Sequence, residues 1–225
     1  MYGKFIGGIV VLVLLIGGPI SAENYAGSRQ SDTVRDAVAK LVPDAHITRV
    51  DPRGRPYFLA LATGGNVSSA DVDIETGAGP STLIVQNLNH DTGTMGSLLW
   101  FTNVPQAAPL TPVTTSDGDQ TASGTTQLGG NQVTVTYLAA VTGHTLCVRP
   151  KHIAAKGQPA EAIPAEWEAK LTPEPIPLPA FSDISVTDVS VTDGGVEVAL
   201  RATDVDPAHD ARTGSEAAAG ACDAG

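Results

Sequence analysis

Several short constellations in this chain carry residue types that do chemistry. Asp91-Thr92-Gly93 copies the aspartic-protease triplet. That reaction needs two carboxylates sharing one proton, and no second such triplet exists, so the three residues read as a turn. Asp117-Gly118-Asp119 opens like a calcium loop but lacks the later Glu that completes one. Ser97 follows Gly96 without the G-x-S-x-G frame of a nucleophile elbow. His90 and His144 are the least poor bases for it, and a serine hydrolase requires such a base within reach. The five histidines, His46, His90, His144, His152 and His209, are scattered, and none is paired at metal spacing. Cys147 and Cys222 form neither a CxxC nor a Cys/His zinc pattern. The expectation is therefore no catalytic constellation, no metal and no cofactor.

Charge points elsewhere. The net charge is −11, which gives no general attraction for nucleic acid or for anionic bilayers. The cations are local: Arg49, Arg53 and Arg55 form one cluster, and Arg149, Lys151 and Lys156 with His152 form another. Between Pro56 and Val148 there is no Lys or Arg. Such clusters either bind a single anionic head group or are two solvated loops.

The elements that would position these residues begin with an export signal. Lys4 precedes the uncharged run Phe5 to Ala22, with Ile20-Ser21-Ala22 as a cleavage site. Residues 1–22 read as a cleaved signal peptide or as an uncleaved membrane anchor. Residues 23–206 read as one domain and 207–225, polar, small and aperiodic, as a disordered tail. An exported chain meets an oxidising space. An intramolecular Cys147–Cys222 bond would pin that tail; an intermolecular bond or two free thiols are the alternatives.

Within the domain, Glu23 to Leu41 reads as a helix with Val34, Val38 and Leu41 on one face, ended by Pro43. His46 to Val50 is a weak strand, Asp51 to Arg55 a turn, and Tyr57 to Ala62 one or two helical turns. Alternation then marks strands at Val72/Ile74, Leu83/Val85, Val133/Val135/Tyr137 and Leu146/Val148, and Leu98 to Phe101 is a continuous apolar run. Gln106 to Gln132 reads mostly as loop. Pro164 to Leu171 reads as a short helix, followed by an extended stretch over Pro173, Pro175, Pro177 and Pro179. The last hairpin turns at Asp193-Gly194, with a phase change at Thr187-Asp188 that predicts a bulge. The class is α+β, with half-apolar strands covered by the first helix.

The stretch Glu23-Asn24-Tyr25-Ala26, then Arg55-Pro56-Tyr57-Phe58-Leu59 ending at Thr63-Gly64, then Val72-Asp73-Ile74, resembles the opening of the LmeA-like actinobacterial envelope proteins. The ending is similar too: Ile176-Pro177-Leu178-Pro179, Ile184 to Val191, Thr192-Asp193-Gly194-Gly195, and Val196 to Asp206. The resemblance implies a curved antiparallel sheet wrapped around a long N-terminal helix. It further implies an apolar lipid tunnel, as in tubular lipid-binding proteins related to the bactericidal/permeability-increasing protein. It also implies phospholipid or glycolipid as partner, a role in envelope glycolipid assembly, and a phospholipase activity as an alternative. Val34, Val38, Leu41, Phe58, Leu59 and Leu61 are then tunnel candidates, and Arg49, Arg53 and Arg55 head-group candidates. Trp100, Phe101 and Trp167 would dip into a membrane interface or pack inside. A structural envelope protein contacting polysaccharide is the remaining alternative.

Overall fold

The computed structural model describes residues 2–54, 56–57, 66–106, 109–113, 120–211 and 222, with side chains from Ser21 onward. Helix α1 (Tyr2–Leu41) leads into strands β1 (His46–Arg53), β2 (Val67–Thr76), β3 (Gly79–Leu88) and β4 (Met95–Pro105). A second group follows: β5 (Thr111–Val113), β6 (Thr121–Leu128), β7 (Asn131–Thr142), β8 (Thr145–Ala155), α2 (Ala165–Leu171) and β9 (Ile176–Pro177). Strands β10 (Ile184–Thr192) and β11 (Gly195–Val205) and the turn α3 (Pro207–Asp210) complete the chain's described elements. The architecture is α+β dominated by antiparallel sheet. One sheet has the order β1-β2-β3-β4-β11-β10 and the other β5-β6-β7-β8-β9; neither is closed.

The two sheets meet where β10 lies over β5, β6 and β7. Alternation sets which faces join. Val72 and Ile74 on β2, Leu83 and Val85 on β3, Leu98 and Trp100 on β4, and Val196, Val198 and Leu200 on β11 all point inward and are buried. On the other sheet Val133, Val135, Tyr137 and Ala139 do the same. Both sheets contribute to one contiguous apolar core, which α1 joins through Val34, Ala37, Val38 and Leu41. Full burial of each such Val or Leu contributes about 1.5–3 kcal/mol. Among the described residues no helix is long and apolar enough to cross a membrane; the side chains of residues 1–20 lie outside them.

Several local expectations meet their outcome here. The bulge predicted at Thr187-Asp188 is present as a register shift between Val186 and Asp188. Of the expected turn at Asp51 to Arg55, Asp51 to Arg53 are instead the end of β1, which pairs with β2 through Arg53↔Ser69, and Arg55 lies outside the described residues. Pro52 is tolerated because β1 is an edge strand, so its missing N–H breaks no ladder bond. Its carbonyl accepts from the Tyr57 hydroxyl, and the Tyr57 ring packs on α1 beside Gly27. The expected loop over Gln106 to Gln132 holds β5 and β6. Strand β6 buries Ala122, Gly124 and Thr126, small residues that a scan for apolar alternation passes over. The tail expected to be disordered from Pro207 instead begins with the ordered turn α3. There Asp206 accepts from the Ala208 N–H, and Asp210 accepts from the Asp206 N–H, so two N–H groups at the start of the turn are satisfied, one by the cap residue and one by the side chain at its far end. Its own bonds to the Ala208 N–H and to His209 hold the Asp206 carboxyl below the usual range.

Candidate functional site

Where α1 ends, the structure opens a cleft of about 650 Å³, within the range of small-molecule and lipid sites. Four separate stretches build it. One wall is the C-terminus of α1 with Leu41, Val42, Pro43 and Asp44; another is the β2–β3 turn with Thr76, Gly77 and Ala78. Trp100, Thr102, Pro105 and Gln106 contribute along β4 and just beyond it. The outer side is a strap, Thr172 to Pro179, together with Lys170 at the end of α2.

The strap's conformation follows from its composition. Pro173, Pro175, Pro177 and Pro179 fix φ near −65° and donate no hydrogen bonds, so the segment stays extended. It is tied down at its ends. Thr172 N–H donates to Glu168 O at 2.9 Å, Leu178 N–H to His144 O at 2.8 Å and Ala180 N–H to Asp210 O at 2.8 Å. Between these ties Ile176 pairs with Leu146, which joins β9 to β8. Ile176 and Leu178 are buried, so the strap is held by its alternate apolar side chains.

The floor is more polar than the walls. Thr102 accepts a hydrogen bond from the buried Ser81 hydroxyl at 3.0 Å. Trp100 is 4% exposed and packs edge-on against Phe181, with ring centroids 6.5 Å apart. Among the described residues its Nε1–H has no acceptor, and neither has Gln106 Nε2. Three charged residues, Lys170, Asp44 and Glu174, lie on the lining.

The residues singled out in the sequence fall as follows. Val34, Val38 and Leu41 are buried in the core, and of the three Leu41 also lines the cleft. Phe58, Leu59, Leu61 and Arg55 lie outside the described residues. Arg49 and Arg53 are exposed and ion-paired, Arg49 to Asp51 at 2.9 Å and Arg53 to Asp71. The β1–β2 register sets Arg53 opposite Ser69, at the far end of β2 from the Thr76 that borders the cleft. Ser97 donates to Gln86 Oε1 at 2.8 Å, and His90 Nδ1 bonds Thr33 Oγ1 at 3.0 Å, so each is engaged with another residue. Asp91-Thr92-Gly93 forms the β3–β4 turn, with Asn89 Oδ1 accepting from the Asp91 and Thr92 N–H groups. Among the described residues no cluster of His, Cys, Asp and Glu could hold a metal ion. Trp167 packs against the core partly buried and Trp100 is inside it.

Cys147 and Cys222 lie in disulfide geometry with Cα atoms 5.7 Å apart. Cys147 is on β8, next to the Leu146 that pairs with the strap. Sequence reading did not find the cleft, because its walls come from four segments that only the topology brings together. The run of alternating prolines was the one visible sign of its outer side. Comparison of the chain with family models, with curated proteins and with solved structures gives no match.

Proposed function

We propose that this chain is an exported cell-envelope protein that binds a phospholipid or glycolipid, with the acyl part in the cleft beneath the proline strap. The observation that carries the reading is the cleft itself. Its walls are largely apolar, from Leu41 and Val42 to Ile176, Leu178 and the prolines, and it is sized for a ligand rather than for water. Each CH₂ taken from water into such a site contributes about 0.8 kcal/mol. The uncharged leader Phe5 to Ala22 directs the chain out of the cytoplasm and brings it to a membrane, where such a ligand is found. The short motifs shared with the LmeA-like proteins support the same function, and with it a six-stranded sheet curling about α1.

The binding reading is favoured over an acyl hydrolase because Ser97, the serine weighed for that role, is hydrogen-bonded to Gln86 rather than to a histidine. Native mass spectrometry of the protein extracted from its own envelope tests the proposal. A co-purifying lipid, or uptake of added phospholipid, is the expected result. Protein that is lipid-free and ignores added phospholipid overturns it.

A further inference from the structure

Resting on the reading of the cleft as a lipid site, we infer that residues 162–175, which carry α2, are a gate that lifts as a unit to admit the ligand. The segment runs between two fixed points. At its start Glu161 exchanges hydrogen bonds with Ile153, its N–H donating at 2.8 Å and its carbonyl accepting at 3.0 Å. At its end Ile176 and Pro177 pair with Leu146 and Thr145 of β8. Between these points every described backbone hydrogen bond stays inside the segment. The N–H groups of Trp167 and Glu168 donate to Pro164 O, and the N–H and hydroxyl of Thr172 both donate to Glu168 O. Among the described residues no ion pair joins the segment to the rest of the chain.

The sequence explains the detachment. Pro164, Pro173 and Pro175 have no N–H to offer a neighbouring strand, so pairing with β8 begins only at Ile176. One face of side chains holds the segment down instead. Ile163, Trp167 and Leu171 recur at every fourth residue, which places them on one side of a helix. All three pack against the core, Leu171 buried and the other two in part. A segment with few buried side chains and no backbone bond to its neighbours opens at lower free energy than the sheet ladders beside it. Its position gives that opening a consequence. Lys170, Thr172, Pro173, Glu174 and Pro175 all line the cleft, so lifting the segment removes much of the outer side. The strap from Ile176 onward stays on β8 through Leu146 and the Leu178–His144 bond.

The test reads how often position 171 meets solvent. Leu171 is 2% exposed, and Val198, on β11 between β4 and β10, is 0% exposed. Leu171→Cys and Val198→Cys are made separately in the full, disulfide-bonded chain, and each new thiol is allowed to react with a maleimide in the absence of denaturant. The thiol at 171 should react about a hundredfold faster than the thiol at 198, the gap between a local opening and global unfolding. Saturation with a phosphatidylcholine should slow it severalfold, because a filled cleft holds the gate shut. Equal rates at the two positions overturn the inference, and so does a fast rate at 171 that bound lipid leaves unchanged. Should Leu171→Cys fail to fold, Trp100→Phe leaves Trp167 as the single tryptophan; acrylamide should quench it less once the lipid is bound, and equal quenching overturns the gate. A phosphatidylcholine that does not bind sinks the lipid reading, whereas the ratio of the two labelling rates is measured without lipid and decides by itself whether the segment lifts.

Discussion

Gly195 opens β11 at φ +145°, and a Cβ placed there would sit 2.3 Å from Val104 O, 2.8 Å from Asn103 Oδ1 and 3.1 Å from Pro105 Cα. Two of these three atoms are backbone of the neighbouring strand, so no rotamer change can relieve Gly195→Ala. The positive φ alone costs an L-residue about 1–2 kcal/mol. Moving β11 away from β4 at the Gly195↔Pro105 and Val196↔Val104 positions loosens one or two ladder bonds, at about 1 kcal/mol each. The expected loss is about 3 kcal/mol. Gly130→Ala is the matched control: φ is +83°, but no atom of the described residues lies within 4 Å of the added Cβ. It should cost only the conformational term, about 1–2 kcal/mol. Urea unfolding followed by tryptophan fluorescence gives both values, read as shifts in midpoint at constant slope. Trp100, inside the core, is the natural reporter. If the two alanine variants lose the same stability, the close approach of β4 and β11 is not what requires glycine.

Cys222→Ser should lower stability under oxidising conditions by up to about 4 kcal/mol, the chain-entropy value for a bond spanning 75 positions; a matching loss when the wild type is reduced would tie the effect to the bond. Burial pushes the Tyr137 hydroxyl up to about 12 from 10.0. Its contribution is therefore fully present below pH 10 and lost as pH rises toward about 12, so unfolding midpoints should fall across that window and Tyr137→Phe should flatten the fall. Arg53→Ala should leave lipid affinity unchanged in a competition assay, since Arg53 is paired with Asp71 and lies opposite Ser69, away from the Thr76 end of β2 that borders the cleft; exposed pairs of this kind contribute about 0–1 kcal/mol to stability. With one cation against two carboxylates on the lining, zwitterionic lipids should outcompete anionic ones of equal chain length in the same assay.

Much of the sheet was legible because period-two burial writes itself into sequence. Val133, Val135 and Tyr137, or Val196, Val198 and Leu200, alternate with polar residues as a half-buried strand must. Even the bulge at Thr187-Asp188 was visible, since one extra residue inverts the phase on either side. Strand β6 was hidden for a packing reason. A Cβ on Gly124 would come 2.8 Å from Val191 Cγ1. The approach of β10 therefore demands small residues where the pattern looks for large ones. The continuation of β1 through Pro52 was hidden because edge position, which makes proline acceptable, is a property of the whole sheet. The cleft was hidden more deeply. No local rule joins Leu41, Ala78, Trp100 and Ile176, and the unpaired state of Trp100 Nε1 depends on what surrounds it after folding.

The placement of the second sheet within the chain has a kinetic consequence. Strands β5 to β9 all lie between β4 and β11 in sequence, whereas β4 and β11 pair directly, Met95 with Val205 and Pro105 with Gly195. The hairpins β6–β7, β7–β8 and β10–β11 close over short loops and can form early. The β4–β11 ladder must wait until the ends of the longest loop meet, and non-local pairing of this kind slows folding. Until then β4 is a bare edge, with Trp100 and Thr102 exposed to any strand that passes. The floor of the cleft is thus among the last surfaces to be completed and, during refolding, among the first at risk of pairing with another chain.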